Sequence, residues 1–105
     1  MILSYIRQTK LALSPKTRIQ MPFTRKVGVL IGFLDSEDYI RIGYSALNTK
    51  SDDVFNREQG IELAAQNTTC ALTPEVIAKM PIKVRQALPA FINRCERYFK
   101  KSVIR

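Results

Sequence analysis

The most legible stretch of the chain is an uninterrupted apolar run, KVGVLIGFL (Lys26–Leu34), followed by a polar turn and then a strictly alternating run. The first run is β-branched, carries two glycines and is short, which predicts a buried strand. DSED (Asp35–Asp38) supplies the turn. In YIRIGYSAL (Tyr39–Leu47), Ile40, Ile42, Tyr44 and Ala46 fall on one face of a strand, and Tyr39, Arg41, Gly43 and Ser45 on the other. A four-residue connection between two such runs predicts an antiparallel hairpin.

Upstream the pattern is ambiguous. Ile2, Tyr5, Ile6 and Leu13 fit one face of a helix, but the same segment also reads as extended. SPKT (14–17) reads as a turn, because Pro15 pushes Ser14 out of helical space. TRIQMPF (17–23) reads as a short separate strand whose Pro22 suits a sheet edge.

Downstream, NTKSDD (48–53) is a loop, and Asn56 followed by Gln59 has the spacing of a helix start. That helix is expected to bury Ile61, Ala64, Ala65 and Thr68, with Gly60 weakening it by roughly 1 kcal/mol. Thr73, Pro74 and Glu75 read as an N-cap, a first-turn proline and an acid on the helix dipole, opening a short helix that Pro81 stops. A last helix should run from Pro81 or Ile82 to about Val103, with Pro89 kinking or restarting it. Leu88, Phe91, Ile92, Cys95, Phe99 and Ser102 share one broad face of it. Arg94, Arg97, Lys101 and Arg105 form a separate stripe, with Tyr98 on the border. The expectation is an α+β fold in one domain over residues 1–105: a short antiparallel sheet built on the central hairpin and packed against two or three C-terminal helices.

Composition narrows the chemistry. A chain of 105 residues with 46% hydrophobic residues is long enough for one core. No apolar run approaches the ~20 residues of a membrane span. Arg7 and Lys10 interrupt the opening MILSYIRQTKLAL, where a secretory signal would be apolar, so a cytoplasmic protein with no membrane partner is expected. There is no His, and Cys70 and Cys95 stand alone, which removes His-based nucleophile systems and a zinc site within one chain. Asp35, Glu37 and Asp38, then Asp52 and Asp53, then Glu58 and Glu62, are accounted for by turns, caps and a solvated helix face. The Ser and Lys of GYSALNTKSDD come with no oxyanion site. No catalytic residue, metal or cofactor is assigned, and the chain is read as non-enzymatic, with a metal-dependent nuclease working through Asp52 and Asp53 the least favoured alternative.

Charge points to a partner. The net charge is +8, distributed as six bases and one acid over residues 1–35, three and seven over 36–75, and eight and one over 76–105. Such polarity suits a polyanion, nucleic acid first. Cations repeating roughly every 5–6 Å along a helix match successive phosphates, and an adjacent Tyr offers a stacking face. The candidate contacts are Arg94, Arg97, Tyr98, Lys101 and Arg105, with Lys83 and Arg85 on the same third. Tyr39 and Arg41 join them from the hairpin, with Lys26 taken as near, although an ordinary strand role accounts for Tyr39 better. RNA is preferred over DNA because no helix-turn-helix is visible. The plainer reading of the stripe is a solvated face, and the rival partner is an acidic protein surface. A homodimer is compatible with a core this small, although no heptad points to one.

One resemblance adds context. The combination VGVLIGF, YIRIGYSALN, DVFNREQGIELAAQ and LPAFINRCERYFK resembles a group of small phage-encoded accessory proteins over roughly residues 27 to 101. The matching residues are Ile42, Gly43, Tyr44, Ser45, Phe55, Gly60, Ala64, Phe91, Arg94, Arg97, Tyr98, Phe99 and Lys100. The resemblance implies action early in infection against host machinery, including neutralising defence systems such as RNA-cleaving toxins by binding the toxin, its RNA or both. It brings no catalytic residues, and it places the chain in the host cytoplasm with a nucleic acid or a host protein as partner.

Overall fold

The computed structural model describes residues 1–13, 20–47 and 55–105, with the backbone alone over 9–13 and 20–24. It contains β1 (Ile2–Leu13), β2 (Gln20–Leu34), β3 (Ile40–Ala46), α1 (Arg57–Gln66), β4 (Thr68–Thr69), α2 (Pro74–Ala78) and α3 (Ile82–Phe99). The four strands form one antiparallel sheet in the order β1-β2-β3-β4, giving the α+β fold that the pattern predicts. The expected hairpin is β2–β3, from Gly28 opposite Ala46 to Leu34 opposite Ile40.

The apolar run of β2 is continuous because both faces of the sheet are covered. Val29 and Ile31 meet Ala64 of α1, joined by Leu3, Phe33, Phe55 and Ile61. Leu30, together with Ile2, Ile6, Ile40 and Ile42, packs on the other face against Val84, Leu88, Phe91, Ile92 and Cys95 of α3. Burying any one of these large side chains contributes roughly 1.5–3 kcal/mol. α1 sits close on β3: a Cβ at Gly43 would collide with the Ala64 carbonyl oxygen, and Ser45 Oγ donates to the Gly60 carbonyl at 2.7 Å. That close approach turns Gly60 and Ala64 inward. It leaves Ala65, expected in the core, exposed, and places Thr68 in β4 beyond the helix.

Both local caps form as their residue types require. Asn56 accepts from the Gln59 N–H at 3.1 Å, and Thr73 Oγ1 from the Val76 N–H at 3.4 Å.

Three sequence readings are resolved or corrected. The ambiguous opening is a strand, because β2 offers it a complete antiparallel partner from Gly32 to Gln20. TRIQMPF is not a separate strand; from Gln20 onward it is the beginning of β2. β3 pairs only from Gly28, so β1 and β2 continue past Arg7 and Lys26 as a two-stranded ribbon to Leu13 and Gln20. Pro22 lies in that ribbon, where the second edge of β2 has no strand partner among the described residues, as an interior proline requires. At the root of the ribbon the register slips, leaving Val27 as an extra residue whose carbonyl accepts from the Leu47 N–H at 2.7 Å. The molecule measures 55 × 25 × 24 Å with a radius of gyration of 15.8 Å, against about 13 Å for a compact chain of this length. The ribbon accounts for the elongation. The turn expected at SPKT and the loop at NTKSDD lie outside the described residues.

The third correction concerns α3, which ends at Phe99 and not near Val103. Lys100 turns left-handed (φ 55°) and the chain reverses. Glu96 then clasps the returning tail, accepting from the Val103 N–H at 2.9 Å and pairing with Arg105 at 2.9 Å. Val103 becomes buried, and Ile104 bridges Ala71 in parallel, its carbonyl accepting from the Leu72 N–H at 2.7 Å. Ser102, expected on the apolar face, is exposed beyond the helix. Pro89 is accommodated within one continuous helix.

Candidate nucleic-acid interface

The reversal at Lys100 breaks the expected row of four cations. Arg94 and Arg97 remain on the exposed face of α3, three residues apart. Arg94 donates to the Leu3 carbonyl of β1 at 2.9 Å, and Arg97 to the Asn93 carbonyl of its own helix at 3.4 Å. Lys101 is exposed in the bend that follows the helix. Arg105 does not continue the row, because its guanidinium is held by Glu96. Tyr98 is 66% exposed, one residue past Arg97, with its ring edge-on to Phe99 at 5.0 Å between centroids.

The remaining candidates are dispersed. Lys83 is half-buried in the first turn of α3, lining grooves beside Ile6 and Val27 and beside Arg7 and Gln8. Arg85 is exposed further along the helix and shares a shallow depression with Arg105 and Asn93. Arg41 is paired to Asp35 at 3.1 Å and serves the hairpin turn. Asp35 also accepts from the backbone N–H groups of Tyr39 and Glu37, each at 2.9 Å. The Tyr39 N–H, then the Glu37 N–H and Arg41, hold its carboxyl below the ordinary carboxylate range against the opposing effect of burial. Tyr39 is 45% exposed beside this turn.

Lys26 does not join Tyr39 and Arg41. Arg41 pairs with Phe33, seven residues along β2 from Lys26, a separation of about 23 Å at strand rise. The hairpin platform is therefore two distant features.

No family model matches the chain, and no curated protein or solved structure matches it either. The residues must carry the argument.

One cationic group escaped the sequence reading. On the α1 face of the sheet, Tyr5 of β1 has the Lys26 Nζ 4.0 Å from its ring centroid, and its hydroxyl accepts from the Arg57 Nε at 2.8 Å. Phe55 packs edge-on to the same ring at 6.1 Å. Arg7 lies directly opposite Lys26 in the β1–β2 register, two residues from Tyr5 and so on its face. Residues 52 apart in sequence meet here, and only the excess of bases over acids in the first 35 residues hinted at it.

Among the described residues no three His, Cys, Asp or Glu side chains come together to hold a metal ion. Glu58 and Glu62 are both exposed on α1, and Asp52 and Asp53 lie outside the described residues. No helix among the described residues is long and apolar enough to cross a membrane. Cys95 is buried beneath the sheet, and desolvation pushes its thiol up to about 11. It is core material and not a nucleophile.

Proposed function

We propose that this protein is a non-enzymatic nucleic-acid-binding protein that prefers RNA to DNA, and that it acts as a phage-type accessory factor antagonising a host defence or host enzyme through that binding. The observation that supports it best is the Arg94–Leu3 hydrogen bond. It places a guanidinium of the basic C-terminal third at the edge of β1, the first strand of the basic N-terminal third, while Glu37, Asp38, Glu58 and Glu62 belong to the middle of the chain. That juxtaposition favours polyanion capture.

RNA is preferred because Tyr98 leaves most of its ring open beside Arg94 and Arg97. An exposed ring among guanidinium groups suits stacking on an unpaired base. The host-directed role rests on the resemblance over residues 27 to 101.

The test is the ultraviolet absorbance ratio of protein purified at low salt, then washed at high salt. With four Tyr and no Trp, bound nucleic acid dominates at 260 nm. A high ratio that salt removes, and that ribonuclease removes but deoxyribonuclease does not, is the expected result. A clean protein spectrum at low salt overturns the reading in favour of an acidic host protein surface.

A further inference from the structure

Arg7 and Lys26 are directly opposed across the β1–β2 pair. Like charges in that position destabilise a sheet, and ordinarily an acid lies nearby to relieve them. Among the described residues none does: the ion pairs there are Arg41–Asp35 and Arg105–Glu96, and neither involves Arg7, Lys26 or Arg57. Glu58 follows Arg57 in sequence but is exposed and unpaired to any of the three.

Tyr5 holds the arrangement in place. Its ring carries Lys26, its hydroxyl holds Arg57 at the first turn of α1, and Phe55 fixes the ring edge-on. The positive end of the α1 dipole therefore adds to the same field. With Lys26 on one side and Phe55 on another, Tyr5 is a support and not a free stacking face. On the opposite face, the next register pair shows how the sheet treats a cation it merely tolerates: Arg25 donates to Gln8 at 3.2–3.3 Å. On the Tyr5 face Arg57 and Lys26 are held by one tyrosine, and Arg7 stands opposite Lys26 with no partner for its side chain among the described residues.

We propose that Arg7, Lys26 and Arg57 form a phosphodiester site where the backbone of a nucleic acid enters the protein. This rests on the nucleic-acid reading above and differs from it in locating the main contact away from α3. Each bound phosphate releases a counterion, so each cation contributes to the salt dependence of binding.

The experiment measures fluorescence anisotropy of a labelled 20-nucleotide RNA and a labelled 20-base-pair DNA duplex from 50 to 200 mM salt. It compares the native chain with Arg7→Gln/Lys26→Gln/Arg57→Gln and with Arg94→Gln/Arg97→Gln/Lys101→Gln. The expected result is at least a tenfold loss at 150 mM salt for the first triple variant. Its logarithmic salt slope should fall by about 2 to 3, at roughly 0.7–0.9 per cation, a larger loss of affinity and slope than the α3 variant shows. Native binding with an unchanged slope in the first variant overturns the ribbon-root site and leaves the function standing. No native binding to either probe at 50 mM salt overturns both. If the triple variant melts early, Arg7→Gln decides, because the Arg7 side chain makes no hydrogen bond or ion pair among the described residues. A slope lowered by about 0.7–0.9 supports the site and an unchanged slope overturns it.

Discussion

Gly32 on β2 and Cys95 on α3 lie in direct opposition: a Cβ built on Gly32 would come within 2.6 Å of the Cys95 sulfur and 3.4 Å of the Phe91 ring. The helix rests on the sheet at that point because strand residue 32 has no side chain. Gly32→Ala should therefore destabilise by about 1–3 kcal/mol through overpacking. Adding Cys95→Ala removes the sulfur and should recover part of the loss, giving a coupling of about 0.5–3 kcal/mol in a urea-denaturation cycle. Strict additivity of the two substitutions would show that the helix is seated elsewhere.

The same thiol predicts a pH effect. Its folded value, near 11, lies above the ordinary value of 9.0 because burial disfavours the thiolate. Between those values the folded state holds a proton that the unfolded state has lost, so stability should decline as pH rises from about 9 to about 11. At pH 8 a thiol reagent should titrate Cys70, which is half-buried, and reach Cys95 only in denaturant. Rapid labelling of both thiols in the native state would contradict this placement.

Glu96 is the clasp of the C-terminal tail, and Glu96→Gln should loosen it. The ion pair to Arg105 is lost and the acceptor for the Val103 N–H is weakened. Partly exposed pairs of this kind contribute about 1 kcal/mol. The sensitive readout is amide exchange at Leu72, whose N–H donates to the Ile104 carbonyl. Protection there should fall well before global stability does. Unchanged exchange at Leu72 would mean that the tail is held by Val103 burial alone.

Asp35 should titrate below the ordinary carboxylate range when followed by carbon-detected NMR. A depressed folded value means that its contribution is fully present above the unfolded value and is lost as pH falls through the folded one. Asp35→Asn should remove this acid-side dependence and release Arg41. A normal titration of Asp35 would show that the turn is not carboxylate-capped.

These contacts also explain what the sequence could reveal. The β2–β3 hairpin and the caps at Asn56 and Thr73 are local decisions, made by residues within a few positions of one another. β1 was ambiguous because Ile2, Tyr5 and Ile6 satisfy either period, and only pairing with a strand some 20 residues on selects one. The end of α3 was hidden because a lysine, and not the glycine usual in a left-handed cap, occupies position 100. Exposure of Arg94, Arg97 and Tyr98 followed correctly from helical spacing. The fate of Arg105 did not, since Glu96 reaches it only after the reversal. Arg57 and Tyr5 meet solely through the tertiary fold.

β1 ends the sheet, so among the described residues one whole side of a twelve-residue strand has no neighbouring strand. Such an edge is a template for joining a second chain. Arg94 already occupies the Leu3 carbonyl, and Arg7, exposed on the same strand, adds a second positive charge beside that edge. Positive charges on an edge disfavour its pairing with a second copy, and this protection is electrostatic. A polyanion that neutralises them would lower the barrier between edges, so crowded binding along one strand of nucleic acid would bring β1 of successive copies within reach of each other. Solubility and ligand occupancy are then linked through the same few charges.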